Sequence, residues 1–262
     1  MDKIYTPAEG VALLKEKMKA YGDGISTGIP DIDHFFTFIP EQLYLLSAST
    51  HIGKTTFALN LACNVANQGR RVLFASLEQG VFIYPRIASM NGGKIPGSLH
   101  VYSSDELVQV DRLIGICSKT EKYDLLIIDH LHFIAKSGKG KTEDIDEMVA
   151  KIQNMAKKLQ IPVLLIAHVR KLNEDREPNM DDLRDSSSLA QVPSVVMFLY
   201  RKKNEQDKIV EGKNILQDNG ALIIHKNRIK GITGARRFVL DKNGHFDFTD
   251  YQFAEKMFGS KR

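Results

Sequence analysis

Four stretches of the chain are apolar almost without a break: LYLLSA at 43–48, RVLFASLE at 71–78, YDLLIIDH at 123–130 and IPVLLIAH at 161–168. Between them the apolar positions recur at helical spacing. The pattern predicts helices over Thr55 to Asn67 and from about Leu107 to Cys117, and another beginning at Thr142. In that last helix Ile145, Met148, Val149, Ile152, Ala156 and Leu159 share one face. A strand that is apolar on both faces must be covered on both, so alternation with helices predicts a parallel sheet between two helical layers.

The end of the chain changes character. SVVMFLYR, ALIIHKN, RRFVL and HFDF follow one another without intervening helical periods, and Asn219-Gly220 and Asn243-Gly244 supply tight-turn signals. These predict an antiparallel extension of the main sheet. At the other end, TPAEGVALLKEKMKAYG predicts one short helix. Thr6 caps it, Pro7 suits its first turn, Glu9 completes a capping box and Gly22 ends it. Its stripe of Val11, Leu14 and Met18 requires a covering surface, in this chain or a neighbouring subunit. Neither an internal repeat nor a domain linker interrupts the remainder, which reads as one domain over 25–262.

Composition narrows the picture. Apolar residues make up 43% and charged residues 26%, which excludes global disorder. No run of eighteen apolar residues occurs, so no transmembrane helix is expected. The first residues lack a secretory apolar core, so a cytoplasmic location is expected. Cys63 and Cys117 lie in apolar helical patterns and read as packed free thiols. A net charge of +4 is too mild to demand a nucleic-acid partner.

The candidate chemistry begins where LYLLSA ends. Ala48, Ser49, Thr50, His51, Ile52, Gly53, Lys54, Thr55 and Thr56 fit a phosphate-binding loop with alanine at the first-glycine position. Such a loop wraps phosphates in backbone N–H groups, its lysine adds charge, and its hydroxyl residue binds magnesium. Alanine is tolerated there if the backbone needs no positive φ. Hydrolysis of ATP also needs a carboxylate near magnesium and a group that activates water. Asp129, ending LLIID, suits the first role together with Thr55. Glu78, ending VLFASLE, suits the second, and His168, ending VLLIAH, is placed to sense the γ-phosphate. His130 and His132 lack further ligands at metal-site spacing, so no zinc centre is expected.

Together these motifs resemble the ATPase domain of DnaB-type hexameric replicative helicases, a RecA-like P-loop family. The resemblance runs from ISTGIPDIDHFF onward, through SLE, IIDHLHFI, AHVRK, DLRDSSSLAQ and HKNRIKGITG. It implies an α/β fold with a mostly parallel sheet and an antiparallel carboxyl-terminal extension. It also implies ATP and Mg as cofactors, a homo-oligomeric ring, single-stranded DNA as partner, and movement 5′ to 3′. Primase or other replisome proteins are further implied partners, and the setting would be the nucleoid of a bacterial or phage-infected cell. Lys226 and Arg228 would reach the ATP of the neighbouring subunit, Arg228 as arginine finger. The helix within residues 1–24 would correspond to the family's linker helix. Two features depart from the family pattern: the segment between Glu78 and the next strand is short, and QVPS replaces a more acidic run. No separate amino-terminal domain is expected from this sequence.

Three polar stretches follow the apolar strands: AKSGKGKTED, RKLNEDREPNMDDLRD and RKKNEQDKIVEGKNILQDNG. In a ring they would line the channel, with Lys136, Lys139, Lys141, Arg170, Lys171 and Arg184 gripping DNA phosphates. They lack aromatic residues, so base stacking is not the expected grip. Two other readings share the core chemistry: a RecA-like recombination or loading ATPase that does not unwind, and a regulatory RecA-like ATPase.

Overall fold

A computed structural model describes residues 3–104, 106, 108–119, 122–131, 141–169, 176–183, 187–201 and 220–248, excepting the side chains of 141 and 142. Strand β1 (Leu43–Ala48) lies inside the sheet and is buried along its whole length. Leu43 and Leu45 join the core on one face, while Tyr44, Leu46 and Ala48 join the core on the other. Each fully buried leucine contributes about 1.5–3 kcal/mol relative to exposure. This double burial explains why the strand reads as an unbroken apolar run.

The other strands are β2 (Val72–Ser76), β3 (Leu99–Tyr102), β4 (Leu125–Asp129), β5 (Val163–His168), β6 (Val195–Arg201), β7 (Gly220–Asn227), β8 (Gly234–Leu240) and β9 (Phe246–Asp247). Among the described residues they form one nine-stranded sheet in the order β3-β2-β4-β5-β1-β6-β7-β8-β9. Pairing is parallel from β3 through β6 and antiparallel from β7 to β9. Helices α3 (Lys54–Asn67) and α4 (Tyr84–Met90) pack on one face with residues 25–38 and the last hairpin. The other face is covered by α5 (Val110–Lys119), α6 (Lys141–Leu159) and α7 (Ser187–Gln191). The chain leaves β1 for β2 across β5 and β4, which opens a crevice at the carboxyl ends of the strands, where ligands bind in such sheets.

Helix α1 (Pro7–Tyr21) has the expected ends: Thr6 and Glu9 form a reciprocal capping box, and Gly22 stops the helix at φ 54°. None of its residues is buried, and Val11, Leu14 and Met18 remain 53–65% exposed. Lys17 and Tyr21 nevertheless bind the Glu41 carboxylate, which ties the last turns to the body. A four-residue helix α2 (Pro30–Asp33) follows, and the Asp33 carboxylate accepts from the Thr27 amide and hydroxyl.

The structure corrects two details and adds a third. RVLFASLE stops being strand at Ser76, so Glu78 lies in the turn beyond β2 rather than at its end. The segment after Glu78 is folded: a single 3-10 turn (Gly80–Ile83), then α4, then β3. SVVMFLYR, expected in the antiparallel block, is β6 and pairs parallel with β1. The antiparallel extension starts one strand later because the five-residue α7 completes a parallel crossover.

Candidate active site

The carboxyl ends of the parallel strands bring the expected groups together. Ala48 pairs with His168 across β1 and β5, and Ser76 pairs with Asp129 across β2 and β4. Beyond β1 the chain turns through Ser49, Thr50, His51 and Ile52, then enters α3 at Lys54. The turn is tight enough to need positive φ at His51 (62°) and at Gly53 (106°). Ala48 itself is strand and has no positive φ, so alanine is unstrained at that position.

Lys54 is only 6% exposed, and its ammonium donates to the carbonyls of Ala48 (3.0 Å) and Ser49 (2.8 Å). Burial pushes its pKa down to about 8, against the pull of the Asp129 and Glu78 carboxylates. Asp129 is 1% exposed, and burial pushes it up to about 6, although the Thr55 hydroxyl binds it and Lys54 and Arg86 favour its charged form. Its Oδ1 has no hydrogen-bond partner among the described residues. A buried carboxylate oxygen without a donor, beside a threonine hydroxyl, fits a hard cation that takes oxygen ligands.

Glu78 is exposed in the turn after β2, where its charge is felt by both Lys54 and Asp129. The turn is held to the site by the Leu77 amide, which donates to the Asp129 carbonyl at 2.7 Å. His168 is half-buried, and its ring lies 4.1 Å from the buried His130 ring. Ala48 to Thr56, Glu78, Asp129 and His168 therefore share one rim, which can cradle phosphate, hold a cation and admit water.

Lys226 and Arg228 do not join them. Because β7 is antiparallel to β6, Asn227 pairs with Val195, which pairs with Tyr44 near the start of β1. Arg228 thus stands about five strand residues below Ala48, roughly 16 Å along the sheet. It is exposed there, and its amide donates to the Ser194 carbonyl. Lys226 is half-buried and donates to the carbonyls of Ala190 and Gln191. Burial, with Arg228 adding repulsion, pushes its pKa down to about 8.

Lys136, Lys139, Arg170, Lys171 and Arg184, and the side chain of Lys141, lie outside the described residues. Two basic groups at the rim escaped the reading of the sequence. Arg201 closes β6, the strand beside β1, and its guanidinium donates to the Ile52 carbonyl at 3.4 Å. Its signal was an arginine ending an apolar strand, hidden while that strand was assigned to the antiparallel block. Arg86 lies on α4, whose seven residues are too few to show a period.

Comparison with known proteins agrees with this geometry. The profile of the DnaB-like helicase C-terminal domain matches residues 24–95 and 98–248. The replicative DNA helicase DnaC of Bacillus subtilis is 30% identical over 78% of this chain and 52% of its own length. The replicative DNA helicase DnaB of Geobacillus stearothermophilus is 29% identical over 78% and 52%. The chain thus spans about half the length of the curated relatives it matches. Among solved structures, the ATPase domain of G40P superposes with a TM-score of 0.77 at 21% identity, covering 93% of this chain and 99% of that one. A DnaB-like replicative helicase, described with its interactions with primase, gives 0.76 at 23% identity over 94% and 67%. Both share the RecA-like fold with this sheet. With a two-part profile match across nearly the whole described sheet and its rim, the chain belongs to the DnaB-like helicase C-terminal domain family.

Proposed function

We propose that this chain is the motor domain of a replicative DNA helicase that hydrolyses ATP at the interfaces of a homo-oligomeric, hexameric ring. The observation that carries this reading is the split of the site. The phosphate loop, Asp129, Glu78 and His168 occupy one end of the sheet, while Lys226 and Arg228 occupy the other. Arg228 cannot fold back roughly 16 Å to its own loop, but a head-to-tail neighbour presents it to the next one.

In that arrangement the loop amides and Lys54 hold the ATP phosphates. Thr55 and Asp129 would hold a magnesium ion, which would supply charge neutralisation to the phosphates. Glu78 accepts a proton as water attacks the γ-phosphorus and the bond to the bridging oxygen breaks. His168 senses the γ-phosphate. Arg228 of one subunit stabilises the charge on the transferred phosphoryl oxygens in the next, and Lys226 assists it. Lys136, Lys139, Lys141, Arg170, Lys171 and Arg184 grip single-stranded DNA by its phosphates, and hydrolysis moves them 5′ to 3′.

Helix α1 serves as the linker helix whose Val11, Leu14 and Met18 dock on an adjacent subunit, ahead of the ATPase domain over 25–262. That stripe is exposed here. Primase or other replisome proteins are the proposed partners, as primase is for the structural relative described with it, in a cytoplasmic, nucleoid-associated setting. No helix among the described residues is long and apolar enough to cross a membrane.

The test is ATP hydrolysis with and without single-stranded DNA over a range of protein concentrations. Turnover that DNA stimulates and that climbs steeply with concentration supports a motor with shared sites. Turnover indifferent to both sinks the reading. A strand-separation assay then separates an unwinding motor from a loading ATPase.

A further inference from the structure

We infer that Asn227 is a positioning residue for the arginine that acts in trans: its side chain organises the turn that presents Arg228 to the neighbouring subunit. The inference rests on the reading of Arg228 given above.

Asn227 is the last residue of β7 and is 8% exposed. Its Nδ2 donates to the carbonyls of Phe35 and Ile232, both at 2.8 Å. Its Oδ1 accepts from the amides of Ile229 (3.1 Å) and Lys230 (3.2 Å). One buried carboxamide thus satisfies two donors and two acceptors around the turn. Aspartate has no donor for the two carbonyls, and glutamine carries its amide a carbon too far out.

The turn is held on every other side. The Arg228 amide donates to Ser194, and the Lys230 ammonium donates to the Asp33 carbonyl at 2.7 Å. Phe35, the residue Asn227 reaches, is 2% exposed in the core and lies under the Arg236 guanidinium, 4.8 Å from the ring centre. Arg236 also pairs with Asp31 at 3.4 Å. Before the turn the register of β7 slips: Val196 faces Lys226, but Met197 faces Ile224, which leaves His225 as an extra residue. Such a bulge redirects the side chains that follow it. Within this frame the backbone of Arg228 is fixed and its side chain stays exposed. An arginine finger needs that combination, since misplacement by about 1 Å costs roughly 100-fold in rate.

The full-chain protein carrying Asn227→Ala should bind ATP with unchanged affinity and lose roughly 10- to 100-fold in kcat. The decisive measurement mixes subunits. A Lys54→Ala subunit lacks a working phosphate loop but keeps a good finger, whereas Asn227→Ala keeps the loop and misplaces the finger. Mixed assemblies should exceed the summed activity of the two parents, which damaged folding would not produce. Asn227→Ser, which keeps a short acceptor for the turn amides and loses the reach to Phe35, repeats the test if the alanine variant unfolds. The control mixes Arg228→Ala with Lys54→Ala. Recovery in the control without recovery for both Asn227 variants overturns the positioning role alone. Failure of the control overturns the trans arginine itself. An unchanged kcat in Asn227→Ala also overturns the proposal.

Discussion

The Lys226 ammonium donates to the Gln191 carbonyl at 2.6 Å, joining β7 to the carboxyl end of α7. The amino end of α7 is held too, since the Ser188 amide donates to the Asp146 carboxylate of α6. Helix α7 follows the segment containing Arg170, Lys171 and Arg184, proposed here to grip DNA. Lys226 therefore links the helix after that segment to the edge proposed to face the next subunit's ATP. Lys226→Met should reduce the factor by which DNA stimulates turnover about tenfold, more than it reduces turnover without DNA. Steady-state hydrolysis with and without single-stranded DNA checks this. An unchanged stimulation factor would mean that the contact only caps α7.

The alanine at the first-glycine position should be inconsequential for binding. Ala48 is strand, fully buried, and its carbonyl serves Lys54. Ala48→Gly adds only backbone freedom, so stability should fall by about 0.5–1 kcal/mol while ATP affinity holds. Gly53 is the opposite case, because its φ of 106° strains any L side chain. Gly53→Ala should cost about 1–3 kcal/mol in the loop and weaken nucleotide binding roughly 5- to 150-fold. Thermal unfolding and calorimetric titration of both variants decide the matter.

The buried strands were legible because burial on both faces leaves an unbroken apolar run, as in LYLLSA and LLIID. Helix α1 was legible through its ends, where Thr6, Pro7, Glu9 and Gly22 each have a local chemical job. Strand β3 was not: at the edge of the sheet only Leu99 of its four residues is buried, so no pattern forms. The direction of β6 was hidden for a related reason. Among the described residues the only α-helix of the crossover, α7, has five residues, which is shorter than two turns and shows no period, so its strand resembled the hairpins after it. Arg201 was missed as a consequence, since only a parallel β6 brings its end to the rim. Asp129 and His168 were legible because a polar residue closing a buried strand stands out, and Glu78 because it is the first acid after one. That Lys226 and Arg228 face away from their own loop depended on strand order, which periodicity does not encode.

Two buried ionisable groups of the site, Lys54 and Asp129, should bound the pH range of nucleotide binding. Lys54 would grip phosphate as ammonium, and with its pKa pushed to about 8 the free protein loses that charge as pH rises through 8. Above that point affinity should fall by up to about tenfold per pH unit, with a proton taken up on binding. Asp129 must be ionised to hold magnesium, and with its pKa raised to about 6 the magnesium-dependent affinity should fall as pH drops through 6. Titration calorimetry from pH 5 to 9.5 in buffers of differing ionisation heat would register both limbs. Flat affinity across that range contradicts the picture.

Glu78 should couple to both limits. Its charge raises the pKa of Asp129 and that of Lys54, although burial dominates in each. Glu78→Gln removes the charge and keeps the shape, so both values should fall and the whole binding window should slide toward acid. Near pH 5.5 the variant should therefore bind Mg–ATP more tightly than the parent, and near pH 8.5 more weakly. Turnover at pH 7 should drop roughly 100- to 10,000-fold, the range expected when a general base is lost. Asp129→Asn should instead abolish the magnesium dependence of binding at every pH, because no carboxylate remains to ionise. A Glu78→Gln protein with an unshifted window and undiminished turnover would mean that this exposed carboxylate neither touches the site's electrostatics nor activates water.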